Sequence, residues 1–228
     1  MLESHKREKQ IVQWLTEIEK DAKAIYLVGD IFDFWFEYNK VVPKGFIRLL
    51  GKIASLTDNG TPVHLFVGNH DLWLRDYLET EIGVSIHHGN IMIQEGNKKI
   101  LIGHGDGLGD GDYLYKILKK IFKSKICQWA FARFHPNFAF TLAHTWSNTS
   151  RKSGDEDKFS SKENEILFGY CQEQQKVNPV DYYVFGHRHL QLKLKIDKKS
   201  TYINLGEWIT QKNYGVLENG ILKLKSYK

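Results

Sequence analysis

The chain has 228 residues, 42% hydrophobic and 13% aromatic, enough to bury one sizeable core, which excludes a disordered or fibrous protein. Its 32 Lys and Arg against 27 Asp and Glu give a formal charge of +5, a mild excess that suits phosphate-bearing partners or an anionic membrane surface. Two cysteines, Cys127 and Cys171, exclude a disulfide framework and are expected as core thiols in a reducing compartment.

In chain order, Ile11, Val12, Trp14, Leu15 and Ile18 recur at helical spacing between charges and predict an amphipathic helix over 3–20. No apolar run follows the charged opening residues, and no stretch approaches the roughly 20 apolar residues of a membrane-spanning helix. The period then changes. Residues 24–28, AIYLV, read as a buried strand that ends in Gly29-Asp30. Pro43 opens a predicted helix through residue 53, Asn59-Gly60 marks a turn, and a second apolar strand over 63–67 ends in Gly68-Asn69-His70-Asp71. A third, 99–102, ends in Gly103-His104-Gly105-Asp106, and a fourth, 182–185, in Gly186-His187-Arg188-His189. Between these last two lies a segment over 113–176 whose first half interleaves lysines with aliphatic and aromatic residues. A polar loop over 147–163 and a helix over 164–175 complete it. Short alternating runs after His189 read as antiparallel strands with turns at Lys198-Lys199 and Asn219-Gly220.

Strands alternating with helices predict a layered α/β fold, and in such folds ligands collect beyond the carboxyl ends of the strands. The four glycine-terminated clusters then converge on one crevice. A lone histidine is more often structural than a ligand, but here every donor follows a glycine at the end of an apolar strand, where the backbone turns sharply. Asp30, Asn69, His104, His187 and His189 form a mixed oxygen and imidazole set suited to manganese, iron or zinc rather than calcium.

GDIFD at 29–33, GNHD at 68–71, GHGD at 103–106 and GHRH at 186–189 resemble, in order, the motifs of the calcineurin-like metallophosphoesterase superfamily. The resemblance implies a two-sheet α/β sandwich flanked by helices, with two divalent metal ions, manganese foremost, at the strand ends. It implies that Asp30 bridges both ions, that Asn69, His104 and His187 complete one, and that His189 serves the other. It further implies that His70 stabilises or protonates the reacting phosphate with Asp71 orienting it, while water attacks phosphorus in line. The family's opening strand, ending in Asp-x-His, has no counterpart in the first 29 residues. Truncation ahead of the given sequence is the expected reason.

GDIFDFWFEY, GNHDLW and HGDGLGDGDYLYK, with the long insertion, are similar to the UDP-2,3-diacylglucosamine pyrophosphatase family of lipid A synthesis. That likeness implies one domain over 1–228 whose insertion at about 113–176 is a helical lid. Phe131, Phe134, Phe138 and Trp146 are the expected acyl contacts, and Arg133, Arg151 and Lys152 the expected phosphate contacts. The implied substrate is a UDP-linked glycolipid, cleaved to UMP and lipid X by a cytoplasmic enzyme peripheral to the inner membrane. A soluble phosphodiester or monoester as substrate, and an inactive truncated relative, are the alternatives; the other reading of the insertion is a helical subdomain with an aromatic core and a solvated lysine face. A nucleic-acid partner is not expected, since the aromatic residues cluster with aliphatics rather than forming a stacking surface.

Overall fold

The computed structural model describes residues 2–111, 113–143, 145 and 161–228. Helix α1 (Leu2–Ile18) leads into strand β1 (Ile25–Leu27), helix α2 (Ile47–Asp58), β2 (Val63–Phe66), α3 (Tyr77–Ile82) and β3 (Ser85–His87). These three strands form a parallel sheet in the order β1-β2-β3. Strands β4 (Ile91–Glu95), β5 (Lys98–Gly103), β6 (Tyr182–Phe185), β7 (Gln191–Lys195) and β8 (Thr201–Leu205) form a mixed sheet in the order β4-β5-β6-β8-β7. Helices α4 (Tyr113–Lys123) and α5 (Lys125–Phe131), with a helical stretch at 136–143, stand between β5 and β6, followed by α6 (Ile166–Val177). The last strands, β9 (Asn213–Glu218) and β10 (Ile221–Ser226), pair as a separate hairpin.

Side-chain alternation with a period of two builds the layers. In β1, Ile25 and Leu27 point to the outer face, where Leu15, Ile53 and Leu56 of α1 and α2 cover them, while Tyr26 and Val28 point inward. In β6, Val184 points inward, and Tyr183 and Phe185 point outward against Leu167, Phe168 and Cys171 of α6. The inward residues of the two sheets, with Phe66, Ile100, Ile102 and Ile203, make one continuous filling. This is the expected two-sheet sandwich flanked by helices. The segment taken as insertion therefore includes a helix, α6, that belongs to the flank of the second sheet.

Several boundaries move. Helix α2 starts at Ile47 rather than Pro43, because Gly45 and Phe46 both take left-handed backbone, at φ 106° and 55°. It runs on to Asp58, where the Asn59 amide bonds back to the Ser55 carbonyl at 3.1 Å. The Asn219-Gly220 turn is confirmed by positive φ at both residues, 51° and 75°, the geometry that two-residue hairpin turns require. The other turn is held by Asp197, whose carboxylate accepts from the amides of Lys199 and Ser200. Cys171 is buried in the core, whereas Cys127 on α5 is partly exposed.

Leu65, fully buried in the parallel sheet, reports on the first core. Leu65→Ala is expected to lower unfolding stability by about 2–5 kcal/mol, read from urea denaturation.

Candidate metal centre

The ends of β1, β2, β5 and β6 deliver Asp30, Asn69, His104 and His187 to one place, as the spacing of the glycine-terminated strands predicts. Asp30, His104 and His187 each offer a donor atom, all within 4.8 Å of one another. Asn69 Oδ1 lies 3.2 Å from His104 Nε2 and 3.0 Å from His187 Nδ1, and His104 Nε2 lies 3.2 Å from Asp30 Oδ2.

The backbone is bent to achieve this. Asp30, His187 and His189 all adopt positive φ, at 52°, 65° and 50°, half of the six non-glycine residues that do so among those described. Such conformations cost about 1–3 kcal/mol each and gather at functional sites. Two glycines are obligatory for space. A Cβ on Gly29 would enter the His104 ring, and one on Gly68 would enter the Asp30 carboxylate.

Hydrogen bonds fix each donor. His104 Nδ1 donates to the Val28 carbonyl at 2.8 Å; since a carbonyl only accepts, Nδ1 carries the hydrogen and Nε2 is turned to the donor cluster. Asp30 Oδ1 accepts the His70 amide at 2.8 Å. Asp71, fully buried, accepts from the amides of Gly68 at 2.6 Å and Ile31 at 2.9 Å. Its two oxygens thus clasp the loops after β1 and β2 together, a positioning role beyond the orienting of His70 that the sequence suggested.

Burial works against the charge of Asp30, yet the charge and hydrogen bond of His104, with help from His70, hold its carboxyl well below the usual range. Burial likewise opposes the charged form of His104, but Asp30 outweighs it and pushes the imidazolium up to about 9. His187 goes the other way, pushed down to about 4 by burial and by the charge of His104. Burial and the neighbouring Asp30 push Asp71 up to about 7.

His189 is exposed and stands outside the Asp30, His104 and His187 group, although its charge reaches His187. His70 is partly exposed beside the cluster. On α5, Phe131 packs on Trp73 at 4.7 Å and Phe36 at 4.9 Å, joining that helix to the body. Phe134 and Phe138 remain open, 47% and 58% exposed, and Arg133 is exposed with its guanidinium 4.8 Å from the Trp129 ring centre. Trp146, Arg151 and Lys152 lie outside the described residues.

Some supporting residues escaped the sequence reading. Asp106, buried, accepts from Tyr115 Oη and lies 2.5 Å from Lys119 Nζ, and so anchors α4 beside His104. Glu165, also buried, takes Arg188 Nε at 3.3 Å and Tyr202 Oη at 3.2 Å. Asn204 donates to the Gly186 carbonyl. Glu165 and Asn204 thus hold the loop that carries His187. Asp106 was visible in its motif, but Glu165 and Asn204 carry no local sequence signal.

A carboxylate, an amide oxygen and two imidazole nitrogens meeting at one point fit a divalent transition metal ion. At the ends of α/β strands, that set defines a metal-dependent phosphoesterase-type centre. Comparison with known proteins agrees: the calcineurin-like phosphoesterase family matches residues 4–191. UDP-2,3-diacylglucosamine hydrolase of Porphyromonas gingivalis (strain ATCC BAA-308 / W83) is 37% identical over 233 residues, covering 96% of this chain and 89% of that protein. The protein of the same name from Vibrio parahaemolyticus serotype O3:K6 (strain RIMD 2210633) is 29% identical, covering 84% and 79%. A solved structure of a conserved uncharacterized protein from Streptococcus pneumoniae TIGR4 gives a TM-score of 0.38 at 12% identity, covering 96% of this chain and 91% of that one. The chain belongs to the calcineurin-like phosphoesterase family and is a hydrolytic enzyme, and the donor set at its strand ends fits the divalent metal ions that this family implies.

Ligation by His104 requires loss of its Nε2 proton, and that proton is held up to about pH 9. Divalent-cation affinity is therefore expected to climb roughly tenfold per pH unit from pH 6 towards 9, with about one proton released per ion bound. Calorimetry in buffers of different ionisation enthalpy measures both; an affinity flat across that window contradicts the assignment.

Proposed function

We propose that this enzyme cleaves the diphosphate of UDP-2,3-diacylglucosamine, giving UMP and lipid X. What carries the reading is an open apolar surface beside a phosphoester centre. Leu114, Ile117 and Ile121 form a stripe along α4, and Ile126 and Trp129 continue it on α5, every one of them more than half exposed. Leu114 is 83% and Ile126 79% exposed. Apolar patches of this kind mark interaction or membrane surfaces, and the exposed Lys120 and Lys125 on the same helices suit an anionic lipid surface. The names of the Porphyromonas and Vibrio relatives support the same substrate.

In this reading the protein works at the cytoplasmic face of the inner membrane, as a peripheral enzyme. No helix among the described residues is long and apolar enough to cross a membrane. Phe134 and Phe138, with Trp146, receive the acyl chains, and Arg133, Arg151 and Lys152 attend the phosphates. Asp30, Asn69, His104 and His187 hold one ion, and His189 is the donor assigned to a second, with manganese the expected metal. Divalent ions there supply Lewis-acid polarisation of a phosphoryl oxygen and a lowered pKa for water. The chain's own residues do the rest. Asp30 and His187 are held in their donor positions by strained backbone, His104 by Val28, and the two central loops by Asp71. His70, whose amide is pinned to Asp30, presents its ring to the phosphate and protonates or stabilises the leaving oxygen.

A soluble phosphoester is the second reading, and the engagement of Phe131 in packing against Trp73 favours it.

Mn-dependent release of UMP from UDP-2,3-diacylglucosamine, beside hydrolysis of bis-p-nitrophenyl phosphate, tests the two. Release of UMP at a rate far above the simple diester supports the lipid substrate; hydrolysis of the diester alone removes it. Asp30→Ala is expected to reduce both rates to background with loss of bound metal. By contrast, His70→Ala is expected to lower turnover roughly 100-fold or more with metal content unchanged; normal turnover in that variant would strike His70 from the mechanism.

A further inference from the structure

Beside the donor cluster lies a cavity of about 160 Å³. His104 and Asp106 form one wall, Lys119 and Lys123 of α4 another, and Phe66 and Leu72 line it as well. The two lysines are four residues apart, with Lys123 at the last position of α4, and so face the same way. Their electrostatic situations differ. Lys119 is matched, with its ammonium 2.5 Å from Asp106 Oδ2 and donating to the Asp106 carbonyl at 2.9 Å. Lys123 has no ion-pair partner among the described residues, and burial together with the charge of Lys119 outweighs the attraction of Asp106 and pulls its pKa below the ordinary lysine value. Lys123 is exposed at the end of α4 and lines the cavity beside a second cation, so an anion entering there relieves the repulsion between the two lysines.

The loop over 68–73 divides the surroundings. Leu72 faces this cavity, whereas its neighbour Trp73 stacks on Phe131 and receives the insertion, its indole nitrogen donating to the Phe122 carbonyl at 2.7 Å. One side of the loop therefore holds the Lys119–Asp106 pair with the additional charge of Lys123, and the other is aromatic. A diphosphate laid across the donor cluster would have its two ends in chemically different places. The cavity is small beside the roughly 300–1,000 Å³ of sites that enclose whole small molecules, so it matches a phosphate group with the remainder of the ligand projecting outward.

We propose that this cavity is an anion subsite in which Lys123 holds the phosphate of the departing nucleotide, leaving the lipid-bearing phosphate on the aromatic side. The assignment to a nucleotide rests on the hydrolase reading above; the phosphate chemistry of the subsite does not. Lys123 then sets specificity for a diphosphate over a simple ester, because a simple diester leaves the cavity empty.

The test uses the full chain loaded with Mn, as wild type, Lys123→Ala and Lys123→Arg, with UMP and inorganic phosphate as calorimetric probes. Lys123→Ala is expected to weaken UMP binding about tenfold or more, while Lys123→Arg stays within about threefold of wild type. Metal content, thermal midpoint and the kcat for bis-p-nitrophenyl phosphate should not change, and KM for UDP-2,3-diacylglucosamine should rise in Lys123→Ala. Equal UMP and phosphate affinity in wild type and Lys123→Ala overturns the subsite. Phosphate binding that depends on Lys123 while UMP binding does not overturns the nucleotide assignment. Should the wild type release no UMP from the lipid substrate, yet bind UMP through Lys123, the hydrolase reading falls and the subsite stands.

Discussion

The two sheets share no strand, and what fixes one against the other at the functional end is the hydrogen bond from His104 Nδ1 to the Val28 carbonyl. The apolar filling between the sheets is held by burial, which is strong but non-directional and tolerates sliding. A directional bond between the end of β5 and the residue after β1, joined by the contacts of Asn69 and Asp30 with His104 and His187, removes that freedom where it matters. It also orients the imidazole, so the same contact helps to close the fold and aims a metal ligand. The close approach depends on Gly29, since any side chain there would occupy the space of the His104 ring.

Around this contact the molecule concentrates strain and then compensates it. Left-handed backbone at Asp30 and His187 turns the donors inward at the strand ends. The compensation is buried hydrogen bonding to the same loops: Asp71 to Gly68 and Ile31, Asn204 to Gly186, and Glu165 to Arg188. Buried acceptors that are fully matched rigidify their surroundings. Three residues outside the donor cluster thus set the geometry of those within it.

Much of this was legible in sequence because it is local. An apolar run, a glycine and a metal-competent side chain are contiguous, and their fourfold recurrence located Asp30, Asn69, His104 and His187 before any coordinates. The pieces that were not legible are relational. Glu165 lies on the segment leading into α6 and acts on Arg188 and Tyr202, so no spacing announces it. Helix α3 and strand β3 are only six and three residues long, too short for a period to emerge. The start of α2 is hidden in the sequence because the left-handed turn at Phe46 belongs to a residue type that rarely adopts it.

Helix α4 shows most clearly what periodicity leaves open. Its alternation of lysines and aliphatics predicted two faces, and a helical subdomain would have turned the aliphatics inward and the lysines to water. The opposite holds: Lys116 and Lys119 bond to Gly109 and Asp106 on the body, while Leu114, Ile117 and Ile121 face outward. Asp106 makes that inversion favourable, because a buried carboxylate beside the donor cluster needs a cation, and α4 supplies one only by presenting its basic face. The aliphatic face is then outward by geometry, opposite the phosphate side of the same helix. The electrostatics of the catalytic end therefore also dictate which face of the helix is left apolar and open.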